Sequence, residues 1–99
     1  INLSHADLRA ADLAHATLTQ AAFFRANLAG ASLRHADLTF ADLFQTNLIG
    51  ADLTGAHLDH ANLEGADLDG VTLTGATYTD DTRWPLDFDA KATGARHKI

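Results

Sequence analysis

Six histidines and thirteen carboxylates are the side chains here that could hold a metal or move a proton. His15 and His35 lie twenty residues apart, and His57 and His60 lie three apart. A closed zinc site is four-coordinate, and two imidazoles without cysteine or a fixed carboxylate set do not complete one. The chain has no cysteine, so it offers neither a disulfide framework nor a thiol nucleophile. Paired carboxylates are abundant, but acid–base catalysis asks for a concave site with shifted pKa values. No Ser-His-Asp spacing, phosphate loop or cofactor fingerprint is present. These residues read as a non-enzyme without cofactor or metal, its histidines exposed.

The frame that must position them is a repeat. Sixteen five-residue units run from Ile1 to Asp80, with Leu at the third position except for Phe23 and Tyr78. The first position is Ala apart from Ile1, Thr46 and Val71, and the second is mostly Asp, Asn, Ser or Thr. A period of five steps roughly 140° around a helix, which scatters the leucines. In a flat strand the odd period sends successive leucines to opposite faces. Both conflicts vanish if every unit turns a corner. The first and third side chains then point inward, the second points outward, and the fourth and fifth make the turn. Glycine at fifth positions such as Gly30 and Gly55 supplies the backbone freedom. The result is an all-β solenoid around a leucine-filled axis.

The units Ala6-Asp7-Leu8-Arg9-Ala10, Ala26-Asn27-Leu28-Ala29-Gly30, Ala51-Asp52-Leu53-Thr54-Gly55 and Ala61-Asn62-Leu63-Glu64-Gly65 match the A(D/N)LXX signature. On these units the chain resembles the pentapeptide repeat proteins over residues 1–80. The resemblance implies a right-handed quadrilateral β-helix with four units per coil, hence about four coils. At about 4.8 Å per layer the shaft is roughly 19 Å long. Residues 81–99 form the second region, a C-terminal cap and tail. Trp84, Leu86 and Phe88 are expected to lie across the last coil, because an uncapped solenoid end exposes leucines and unpaired backbone edges. Asp89 can N-cap a short capping helix over Ala90–Thr93 that Gly94 stops. Residues 96–99 read as a frayed tail.

Four units per coil places residues twenty apart above one another. His15 and His35 then share a corner, and Phe24 stacks on Phe44, with Ile49 near the neighbouring face and Phe40 at a corner. Outward aromatics in a solenoid mark a contact surface, or else serve simply as a ladder between coils. Phe24, Phe40, Phe44 and Ile49 are the candidate partner surface of a protein-interaction scaffold.

From His35 to Thr82 there is no Lys or Arg, and the chain carries a formal net charge of −6. Asp52, Asp59, Glu64, Asp67 and Asp69 form the candidate acidic surface. Some pentapeptide repeat proteins imitate duplex DNA and bind type II topoisomerases such as DNA gyrase, and the resemblance implies that alternative. Duplex DNA carries a charge every about 1.7 Å, denser than this rod. Aspartate at the second position is better explained as a repeat residue bonding the corner backbone. Direct nucleic-acid binding lacks a basic patch.

No apolar run approaches a membrane span. The expected compartment is the cytoplasm, with periplasm or thylakoid lumen left open because Ile1 starts in repeat register without Met. The first coil, with Leu3, Leu8, Leu13 and Leu18, lacks a comparable lid, which points to preceding sequence or to self-association through that end.

Overall fold

Each unit makes one short extended step and one tight turn, as the alternation of inward and outward side chains requires. The computed structural model describes residues 1–99. Second-position residues form parallel bridges to partners twenty residues on, from Asn2 with Ala22 to His57 with Thr77. Successive layers therefore lie four units apart, and the units fall into four columns. The first column starts at residues 1, 21, 41 and 61, the second at 6, 26, 46 and 66. The third starts at 11, 31, 51 and 71, and the fourth at 16, 36, 56 and 76.

Two local devices fix the corner. The fifth residue is left-handed, with φ of 57 to 71°, in glycines and also in His5, Ala10, His15, Gln20, Arg25, His35, Phe40, Gln45 and His60. A residue with a Cβ pays a steric penalty there, so the interlayer contacts must hold it in place. The second-position side chain also bonds the turn: Asp12 Oδ1 accepts the Ala14 N–H at 3.1 Å and Asn47 Oδ1 accepts the Ile49 N–H at 3.0 Å. Many of the aspartates are thus committed to the corner, as their position in the repeat suggests.

Inside, first-position alanines and third-position leucines form one buried cluster from Leu18 to Ala76. Leu33, Leu38, Leu43, Leu48, Leu53, Leu58 and Leu63 have no exposed surface. Thr46, the polar exception at a first position, donates its hydroxyl to the Phe23 carbonyl at 2.7 Å. Leu3, Leu8 and Leu13 in the first layer are only half-buried.

The C-terminal region differs from its sequence-based reading. No capping α-helix forms; Lys91–Thr93 is one turn of 3-10 helix with none of its residues buried. Ala90 stands at its cap, and Asp89 Oδ1 accepts the Lys91 N–H at 3.1 Å. Four residues stopped by left-handed Gly94 are too few to offset helix nucleation. The tail is not frayed either. Arg96–His97 (β2) pairs in parallel with Thr77–Tyr78 (β1) on the fourth column. On the first column Arg83 bridges Asn62. Residues 82–84 and 95–97 therefore imitate repeat units. Thr82 takes the buried first position and donates to the Leu58 carbonyl at 2.9 Å. Trp84 lies edge-on to Tyr78 at 5.5 Å, and Phe88 stacks on Trp84 at 5.2 Å. Trp84 and Phe88 pack on the core, whereas Leu86 is 93% exposed and covers nothing.

Candidate functional site

The outer surface is built from columns of like positions, so each candidate residue is best read with the ones above and below it. Phe24 and Phe44 occupy fourth positions of the first column. Their rings are parallel, 5.6 Å apart and inclined by 1°. His5 meets Phe24 edge-on at 5.5 Å, and the Arg25 guanidinium lies 5.3 Å from the Phe24 ring centre. Arg25 Nε donates to Gln45 Oε1 at 2.7 Å, which fixes the corner beside the stack.

The other two apolar candidates do not join this ladder. Phe40, 54% exposed, stacks on His60 at 4.5 Å along the fourth column. Ile49, 42% exposed, stands in the second column between Ala29 and Asp69. The four residues are thus a stacked pair and two separate exposures, because their positions in the repeat assign them to three columns.

The acidic set is divided as well. Asp52 bonds Arg34 Nη1 at 2.9 Å and the Thr54 hydroxyl, and these hold its carboxyl down to about 2, the hydroxyl contributing most. Glu64 receives Arg83 Nε at 2.7 Å. Asp59 is buried by the tail and accepts Lys98 Nζ at 3.0 Å on Oδ2, while its Oδ1 is buried without a partner. Asp67 and Asp69 have no cationic partner. Two of these cations, Arg83 and Lys98, come from the C-terminal segment folding back, and the third, Arg34, reaches up from the layer below, so a linear reading of residues 35–82 misses all three. Sequence reasoning had one usable signal, the return of basic residues after Thr82, from Arg83 to Lys98.

The histidines follow their columns. His15 and His35 stack at 5.2 Å with an 18° inclination. His60 Nδ1 lies 2.7 Å from both Asp81 oxygens, and His97 Nε2 lies 2.6 Å from Asp80 Oδ1. The Thr79 hydroxyl and His60 keep the Asp81 carboxyl below its ordinary range, the hydroxyl first. His97 and Asp80 line a recess of about 260 Å³ with Tyr78, Thr79, Thr82, Trp84 and Lys91. Sequence reasoning did not see this recess, because it arises only where the tail returns. Both threonine hydroxyls in it are engaged, Thr79 to Asp81 at 2.6 Å and Thr82 to the Leu58 carbonyl. No group of three or more His, Cys, Asp or Glu side chains converges to hold a metal ion. No helix is long and apolar enough to cross a membrane.

The family model described as pentapeptide repeats matches residues 1–39 and 36–75 in eight copies. No curated protein matches the chain. Among solved structures, a pentapeptide repeat protein of Nostoc PCC 7120 is 42% identical, with a TM-score of 0.94, covering 98% of this chain and 80% of that one. The pentapeptide repeat protein Rfr23 of the cyanobacterium Cyanothece 51142 is 36% identical, with a TM-score of 0.55, covering 84% of this chain and 60% of that one. A pentapeptide repeat protein of the Arabidopsis thaliana thylakoid lumen is also 36% identical, with a TM-score of 0.53, covering 92% of this chain and 67% of that one.

Proposed function

The chain belongs to the pentapeptide repeat family, and from that premise we propose that it is a non-enzymatic display scaffold whose first column is read by a protein partner. The frame is a right-handed square solenoid of four repeat coils. Its handedness is carried over from the family, and the twenty-residue register supports four sides. Residues 1–80 form the shaft, and 81–99 cover its end.

The observation that carries the reading is the parallel Phe24–Phe44 stack, outward-facing and flanked by His5, Arg25 and Gln45. Ladder stacking stabilises neighbouring coils by up to about 1 kcal/mol per pair. Aromatic surface beside a fixed guanidinium is also the composition of interaction hot spots. A rigid shaft holds both rings without loss of side-chain freedom on binding, which favours recognition.

A photo-reactive phenylalanine analogue at Phe44 tests this, with the same analogue at Asp12 in the third column as control. The expected result is a discrete cross-linked protein from position 44 alone, lost when Phe24 is changed to Ala. Equal labelling from both positions would refute it. The topoisomerase-binding alternative retains Asp67 and Asp69 as unpaired members of its acidic set. A gyrase supercoiling titration that shows neither inhibition nor protection ends that alternative.

A further inference from the structure

Each layer holds the next with the same backbone groups. In the second column, the Leu48 N–H donates to the Asp67 carbonyl at 2.9 Å and the Gly50 N–H donates to the Asp69 carbonyl at 2.9 Å. The Thr46 carbonyl accepts the Asp67 N–H at 3.0 Å. One layer further, the equivalent groups are the Leu68 N–H, the Gly70 N–H and the Ala66 carbonyl. None of the three has a hydrogen-bond partner in the chain.

Two other columns show what belongs there. On the first column Arg83 fills the equivalent place, accepting the Leu63 N–H at 2.6 Å and donating to the Ala61 carbonyl at 2.9 Å. On the fourth, the Arg96 N–H donates to the Ala76 carbonyl at 2.6 Å. Between them the chain swings away at Pro85, which has no N–H to give, into a turn closed by Phe88. An open cavity of about 330 Å³ is left between that turn and the edge, lined by residues 66, 68–70 and 85–88. Leu86 on its rim is an exposed apolar side chain with nothing packed on it. The carboxylates around it, Asp67, Asp69 and Asp87, lack cationic partners, whereas Asp52, Asp59 and Glu64 all have one.

We propose that this slot binds an extended segment of a partner protein by strand addition, with apolar side chains alternating with lysine or arginine. Its backbone supplies the carbonyls that Leu68 and Gly70 lack and the N–H that the Ala66 carbonyl lacks. The repeat register then fixes the side chains. A small residue lies over Ala66 and an apolar one over Leu68, against Phe88. Cationic residues stand over Asp67 and Asp69. The slot lies at the end of the second column, so it is independent of the Phe24–Phe44 reading and stands or falls separately.

The probe is the peptide acetyl-Ala-Lys-Leu-Lys-Ala-amide, titrated into the isotope-labelled full chain and followed by amide NMR. Saturable shifts of the Leu68 and Gly70 amides are expected, with slowed exchange of both. The peptide carrying Glu in place of both Lys should bind about fivefold more weakly, the combined effect of two exposed charge contacts. Asp67→Asn with Asp69→Asn should remove that preference. Folding should survive the change at 67, since Asn47 makes the same turn bond one layer earlier. Methylating the amide nitrogen of the first Lys should abolish binding. No saturable shift at about 5 mM peptide, equal affinity for the Glu peptide, or shifts confined to the first column would each overturn the proposal.

Discussion

Changing Gly55 to Ala should destabilise the chain more than changing Gly30 to Ala, and His35 should account for the difference. Both glycines sit at φ +68°. A Cβ added at Gly30 meets nothing within 4 Å, so its cost is the left-handed backbone alone, about 1 kcal/mol. At Gly55 the same atom falls 2.4 Å from His35 Nδ1 and 2.6 Å from its Cε1. That imidazole is exposed and can swing aside, so the clash does not unfold the protein. Swinging aside separates it from His15, against which it is stacked at 5.2 Å. Losing that stack adds about 0.5–1.5 kcal/mol. The expected totals are about 1 kcal/mol for Gly30→Ala and about 2 kcal/mol for Gly55→Ala. In a domain of this size each kcal/mol moves Tm by about 4–8 °C, within reach of thermal or urea unfolding followed by circular dichroism. In a His35→Ala background the two substitutions should cost the same. If Gly55→Ala remains the more damaging there, or was never more damaging, the steric reasoning fails.

Leu53→Ala should cost about 2–5 kcal/mol in urea unfolding, and Leu8→Ala clearly less, because Leu8 in the first layer is already partly open to water. Lys98→Ala removes the one partner of the buried Asp59 carboxylate and should cost about 1–3 kcal/mol; in an Asp59→Asn background it should be nearly silent. The Asp52 carboxyl is held at about 2, below its unfolded value, so its stabilising contribution is complete above about pH 4 and is lost as pH falls towards 2. Asp52→Asn should therefore flatten stability over that window, measured by unfolding at a series of pH values.

The sequence was legible wherever the repeat is strict. Leu33 and Leu53 had to be inside because period five satisfies neither helix nor flat strand. Asp12 and Asn47 could be read as corner residues because a short side chain two positions before a turn amide reaches it. Legibility stopped where the pattern stopped. Residues 82–84 and 95–97 continue the layering without its letters: Thr82 replaces alanine, Trp84 replaces leucine, and His97 lies over Tyr78 at 5.0 Å. Nothing in the local sequence marks them as repeat units. Only the edges left by Asn62 and Thr77 recruit them. The same omission made residues 35–82 look more acidic than they are.

By itself the sequence determined the solenoid, its core and the residues of each corner, because these depend on contacts that recur every five positions. The tertiary structure decided which charges survive at the surface, which aromatics meet, and which edge stays open. Those outcomes depend on pairs far apart in the chain, such as Asp59 with Lys98 and Glu64 with Arg83. Their geometry exists only once the layers have stacked and the tail has returned over the last one.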